Sequence, residues 1–251
     1  MTSVYADIVA RVGRAVGMPA KLVEGKSLAQ LRDGSVNVAF ICGLPYVRLC
    51  GEQRGMLRPL AAPILDDARC QDRPVYFSDV IVRRDSPFRS FDELRGHRWA
   101  YNEPGSYSGC LLVRHNLLQM GETEAFFGSV TFTGRHQESI QKVVNGEADA
   151  SAIDSHVLGV EQLRNPELGA AIRVIASLGP SAVPLVVATA GLSDAVQERI
   201  RDALCELGED SASREVLAGG LIRRYVPIDD GAYDDIRQKM AGMENSVFSK
   251  G

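Results

Sequence analysis

The stretch Arg98-Trp99-Ala100-Tyr101-Asn102-Glu103-Pro104-Gly105-Ser106-Tyr107-Ser108-Gly109-Cys110-Leu111-Leu112 decides how this chain is read. Its first residues form a short strand, Pro104-Gly105 supplies a turn, and two hydroxyl residues and a glycine open an apolar helix. The first amides of a helix have no intrahelical acceptor and lie at the positive end of its dipole. With Ser106 and Ser108 beside them, they form a receptor for an oxyanion such as phosphate, phosphonate or carboxylate. The same residues also admit a purely structural reading, because Ser is an ordinary N-cap and Pro-Gly an ordinary turn.

Outward from this segment, helix and strand patterns alternate. Towards the N-terminus, Ile8, Val9, Val12, Ala15 and Val16 recur at helical spacing up to Gly17, and Lys21 to Glu24 predicts a short strand. Ser27 caps a helix through Leu31, Val36 to Cys42 is a buried strand ending at Gly43, and Pro74 to Arg83 is an unusually long strand. Ser90 then caps an acidic first turn closed by Gly96. Beyond the strand at 98–102, a helix runs from Ser108 to Met120, followed by a strand at 130–134 and a helix from Ser139 to Asn145. Asp149 to Asp154 is a strand of small residues. A second extended run covers 173–176 and 183–189, broken by Gly179-Pro180 and Pro184. The tail is helical over 194–207 and 211–218, with a strand near Tyr225-Val226-Pro227 and a last helix from Tyr233.

Such alternation predicts an α/β protein with a parallel-rich sheet and ligands near the carboxyl ends of strands. Two long extended crossings, near 76–82 and 176–186, divide the chain. They predict a discontinuous lobe I (1–78 plus 183–251) and an inserted lobe II (79–182), a hinged clamshell that closes on a ligand in the cleft.

Composition narrows the function classes. The chain has 251 residues, 45% of them hydrophobic and 24% charged, enough for a sizeable core. A formal net charge of -4 and a pI near 5.6 argue against a nucleic-acid partner, which needs a basic face. The pairs Arg83-Arg84 and Arg223-Arg224 read as solvated surface, with acidic residues nearby. Met1 to Asp7 lacks a basic region followed by an apolar one, and no run approaches the roughly 18 apolar residues of a membrane span. The expectation is a cytoplasmic protein without membrane insertion, or a periplasmic one whose N-terminus is truncated or processed. Cys42, Cys50, Cys70, Cys110 and Cys205 include no Cys-x-x-Cys pair, so buried free thiols are expected rather than a metal site or disulfide framework. No cofactor motif is legible.

Seven segments in order carry a resemblance to a known family. They are Gly34-x-Val36-x-Val38-Ala39-Phe40 with Gly43-Leu44-Pro45-Tyr46; Tyr76-Phe77-Ser78-Asp79-Val80-Ile81-Val82; Asp85-Ser86-Pro87; and Phe91-Asp92-Glu93-Leu94-Arg95-Gly96. Then come Pro104 to Gly109, Gly134-Arg135-His136 with Ser139, and Gly146-Glu147-Ala148-Asp149-Ala150-Ser151-Ala152-Ile153-Asp154. Over nearly its whole length the chain resembles the substrate-binding proteins of phosphonate, phosphite and phosphate ABC transporters, a branch of the type 2 periplasmic binding proteins.

The resemblance implies a non-enzymatic protein that captures a small oxyanion, with an ABC permease as partner of an exported form. It implies that Ser106 and Ser108, with the amides around Tyr107 to Gly109, donate to the anion, and that His136 donates to the same group. Tyr46 and Tyr76 would offer phenol donors and ring walls. Asp154 would face the cleft and meet either a ligand amine or a protonated ligand oxygen, because a bare carboxylate repels an anion. Asp149 reads as structural, and His115, spaced between Leu111 and Leu118, as packing. Two departures stand out. The family begins with a strand and loop before the helix that starts here near Tyr5, and Tyr107 replaces a small hydroxyl residue. The rival class is a cytosolic enzyme on the same clamshell, chorismate dehydratase-like, suggested by Asp154, His136 and Cys110; a cytosolic sensor is a third reading. No nucleophile-base pair or metal-ligand spacing supports catalysis.

Overall fold

The computed structural model describes residues 2–244. In chain order the elements are Thr2–Val16 (α1), Ala29–Arg32 (α2), Val38–Ile41 (β1), Gly43–Glu52 (α3), Leu57–Leu65 (β2), Val75–Arg83 (β3) and Arg98–Tyr101 (β4). A π turn, Tyr107–Leu111, runs straight into Leu112–Gln119 (α4). Ser129–Phe132 (β5), His136–Val144 (α5), Ala150–Asp154 (β6), Ser155–Arg164 (α6), Pro166–Ala171 (α7) and Ile172–Ala182 (β7) follow. The chain closes with Leu185–Thr189 (β8), Asp194–Cys205 (α8), Ser211–Ala218 (α9), Ile222–Pro227 (β9) and Asp234–Glu244 (α10). Residues 1 and 245–251, which the sequence assigns to lobe I, lie outside the described residues.

The chain forms two compact units, one of the described residues up to Val75 with Ala182–Ile236 and one of Tyr76–Ser181 with the described residues from Arg237 onward. In the first, the strand order is β1-β8-β2-β9. β8 pairs antiparallel with both β1 and β2, and β2 pairs antiparallel with β9. The expected parallel-rich sheet is therefore wrong for this unit. Its physical reason is the long excursion of the chain: α3 makes β1 and β2 mutually parallel, as a crossover helix should, but β8 inserts between them after the second unit is complete. β2 and β8 are interior strands, and apart from Arg58 and Pro59 all their residues are buried. They read as near-continuous apolar runs for that reason. Pro59 is accommodated where the β2–β8 register shifts between Pro59 and Ala61, a bulge that spares the missing N–H. Lys21 to Glu24 forms no strand. These residues are mostly exposed, and nothing among the described residues pairs with them.

The second unit has the order β5-β4-β6-β3-β7. Here β5, β4 and β6 are parallel, and β3 runs antiparallel to β6, with Ser78 opposite Asp154. β7 continues through Gly179-Pro180 rather than breaking there, because an edge strand tolerates a proline. One face packs an aromatic cluster in which Trp99 stacks on Phe127 at 4.5 Å and Phe91 on Phe126 at 5.6 Å. Such rings bury large areas and prefer offset or edge contacts, giving the strand before the π turn a rigid support. Asp149 is structural as expected: its carboxylate accepts from the Arg98 amide at 2.9 Å and from the Arg98 guanidinium at 2.7 Å. Those bonds hold its pKa below the usual carboxylate range.

Cys70 and Cys110 are buried thiols, but Cys42 is exposed and Cys50 and Cys205 are half-buried, so burial of all five is not observed. No helix among the described residues is long and apolar enough to cross a membrane.

Candidate functional site

Within the second unit, β4 delivers Tyr101 and Asn102 to the turn that opens the next helix. Ser106 is its N-cap, extended at φ -74° and ψ 133°, and its Oγ accepts from the Gly109 amide at 3.0 Å. The opening turn is wide: the Leu111 amide reaches back five residues to the Ser106 carbonyl at 3.1 Å. A π turn leaves one more amide without an intrahelical acceptor than an α turn does. Ser106 satisfies one of them through a lone pair, and its own hydroxyl proton has no acceptor among the described residues. A hydroxyl that accepts from the chain and still holds a free proton is suited to an anion.

Ser108 is buried next to this cap. Its carbonyl accepts from Ser78 Oγ at 2.7 Å, which ties the turn to β3, and its own Oγ lies 3.3 Å from His136 Nε2. His136 is the first residue of α5, and the same Nε2 lies 3.3 Å from Asn102 Nδ2. Asn102 was not among the expected site residues. Its signal in the sequence is faint: a lone amide at a strand end, which a turn explains equally well. It packs so closely on the glycine that a Cβ at Gly109 would stand 1.9 Å from Asn102 Oδ1. Gly109 is thus required by close approach rather than by backbone conformation. Asn102 Oδ1 and His136 Nδ1 are both buried without a partner among the described residues. Buried polar atoms are rarely left so, and two in one cluster suggest a site built for something more than the chain itself. Burial pushes the His136 pKa down, and the nearby Asp154 charge partly opposes it.

The other expected residues divide. Asp154 ends β6 and caps α6, where Oδ1 accepts from the amides of His156 at 2.9 Å and Val157 at 3.2 Å. Its charge reaches His136, but at least one of its oxygens is committed to the helix. Tyr107 turns its ring into the second unit, where its phenol shares a 2.6 Å hydrogen bond with Ser181 on β7. It holds the turn rather than lining it. Tyr76 starts the second unit on β3 and is buried. Tyr46 belongs to the first unit, one turn into α3, and donates to Asp230 Oδ1 at 2.5 Å while lying edge-on to Tyr233. Burial, and then the Asp230 bond, push its phenol pKa well up. The structure thus gathers Ser106, Ser108, Gly109, His136 and Asp154 into one cluster with Asn102. It shows the phenols of Tyr46 and Tyr107 engaged elsewhere in their own units.

His115 lies half-buried on α4 as a packing residue, with burial pushing its pKa down. Among the described residues no group of His, Cys, Asp and Glu could hold a metal ion. A depression of about 390 Å³ in the first unit is lined by Arg58, Gln197, Glu198, Arg201, Asp229 and Asp230, none of them expected from the sequence. The second-unit cluster, by contrast, supplies hydroxyl and amide donors around helix-opening amides, chemistry that suits a small anion.

The family described as ABC transporter, phosphonate, periplasmic substrate-binding protein matches residues 1–233. The binding-protein component of a phosphonate ABC transporter from Pseudomonas aeruginosa superposes with a TM-score of 0.82 at 18% identity, covering 95% of this chain and 80% of that one. PhnD1 from Prochlorococcus marinus, solved with methylphosphonate, gives 0.82 at 16% identity over 98% of this chain and 92% of its own. A Xanthomonas citri protein solved with ATP gives 0.69 at 22% identity over 95% and 90%. The fold is that of the type 2 periplasmic binding proteins.

Proposed function

Because this chain belongs to the family of phosphonate-binding periplasmic components of ABC transporters, we propose that it binds a small oxyanion (a phosphonate, phosphite or phosphate) at the π turn opening α4. The observation that carries this reading is the cluster of Ser106, Ser108, Asn102 and His136 around the helix-opening amides, with two of its buried polar atoms unpartnered. Ser106 and Ser108 donate hydroxyl protons to anionic oxygens, the Tyr107 to Gly109 backbone adds the positive end of the helix dipole, and Asp154 favours a ligand that carries a proton or an amine. The methylphosphonate bound to PhnD1 supports a phosphonate over a larger anion.

The family is one of substrate-binding proteins, and on that ground the chain hands its ligand to a permease rather than transforming it. The same membership favours a periplasmic setting over the cytoplasmic one expected from the sequence. Thermal unfolding with phosphate, phosphite, methylphosphonate and sulfate tests the reading. A ligand that binds only the folded chain stabilises it by about 2.7 kcal/mol at a hundredfold excess over its dissociation constant, so the midpoint must rise with concentration. Midpoints that stay fixed across the whole panel contradict it.

A further inference from the structure

We propose that Asn102 is a positioning residue of this site: its amide occupies the lone pair of the His136 imidazole and so leaves the Ser108 hydroxyl proton to the ligand. The inference rests on the anion-site reading given above. It starts from a shortage of acceptors. His136 Nε2 has two neighbours at 3.3 Å, Asn102 Nδ2 and Ser108 Oγ, and a neutral ring offers one lone pair there. An amide nitrogen only donates, so while Asn102 faces the ring Nε2 is the acceptor and the ring hydrogen is on Nδ1. Nδ1 is unpartnered in either tautomer and does not choose between them; Asn102 does.

The two competing donors differ in freedom. Asn102 is 6% exposed and wedged against Gly109, whose Cβ, were there one, would stand 1.9 Å from Oδ1 and 2.8 Å from Cγ. The side chain is held with Nδ2 on the ring and Oδ1 towards Gly109. A hydroxyl, in contrast, rotates about one bond. Asn102 therefore keeps Nε2, and Ser108 is the donor free to turn. When an anion arrives, the Ser108 proton swings to it and no buried acceptor is orphaned behind. Without Asn102, the same swing would strip Nε2 of its partner, and leaving a buried acceptor unpaired opposes binding.

The test uses the ¹⁵N shifts of the His136 ring together with methylphosphonate titration of the wild-type chain, Asn102→Ala and the near-isosteric Asn102→Asp. The wild-type ring is expected to carry its hydrogen on Nδ1, with Nε2 in the lone-pair range, both free and saturated. Asn102→Ala is expected to weaken methylphosphonate binding by about tenfold, the effect of losing one supporting hydrogen bond at a charged ligand. Asn102→Asp, which only accepts, is expected to draw the ring hydrogen to Nε2 and to weaken binding as well. A wild-type ring with hydrogen on Nε2, or an Asn102→Ala chain that binds as tightly as wild type, overturns the proposal. A wild-type chain that binds none of methylphosphonate, phosphite and phosphate overturns the anion site itself and the role given to Asn102 within it, and the ring shifts separate that failure from a wrong tautomer.

Discussion

The phenol of Tyr107 and the hydroxyl of Ser181 lie 2.6 Å apart, joining the π turn that opens α4 to the last residues of β7. This bond explains how a bulky residue stands between two serines without filling their site: the ring is spent on anchoring the turn. Tyr107→Phe keeps the packing and removes the bond, so it should lower stability by about 1 kcal/mol. Chemical denaturation measures the loss, and an unchanged midpoint at unchanged slope would show that the bond contributes nothing.

Gly109 has no room for a methyl group beside Asn102. Gly109→Ala should displace the amide, cost about 1–3 kcal/mol as overpacking does, and weaken methylphosphonate binding by about tenfold or more as the Asn102–His136 contact is lost. Denaturation and titration of the same variant check both effects. Full affinity in a folded Gly109→Ala chain would mean that the amide plays no part in the site.

Asp154 serves two tasks that one substitution separates. Asn is as good an N-cap as Asp, so Asp154→Asn should leave stability within about 0.5 kcal/mol of wild type. It also removes the charge that holds the His136 pKa up against burial, so the His136 titration midpoint should fall further. An NMR titration of His136 in the two chains gives the answer. An unmoved midpoint would place the Asp154 charge out of reach of the ring.

Burial lowers the folded-state pKa of His136, and of His115, below the ordinary value of about 6.5. For a base shifted in this direction the unfolded chain binds the proton first as pH falls. The stability contributed by the neutral rings is whole above about pH 6.5 and is lost progressively below it. The unfolding midpoint without ligand should therefore fall between about pH 7 and pH 5, and His136→Gln should flatten that slope. A slope unaffected by the substitution would mean that His136 titrates alike in both states.

Much of the second unit was legible in the sequence because its signals are local. The helix that the pattern starts at Ser108 is present, but it is capped by Ser106 and opens as a π turn that no residue spacing announces. His136 sits beside Ser108. What escaped depended on partners distant in sequence. The pattern does not announce β2: Pro59 and Pro63 argue against a central strand, and only the bulge in its pairing with β8 makes room for Pro59. The antiparallel first sheet depends on where β8 inserts, which local patterning does not encode. Asn102 escaped for a similar reason: its role comes from Gly109 and His136 approaching it in space.

Calorimetric titration of methylphosphonate into the wild-type chain and into the Ser106→Ala, Ser108→Ala double variant tests the central claim most directly. Saturable one-site binding by the wild type is expected. The double variant, folded by circular dichroism, should bind at least about a hundredfold more weakly, since two charge-assisted hydrogen bonds are lost. Equal affinity in the two chains would contradict the account, because the anion would then be held by something other than the turn that opens α4.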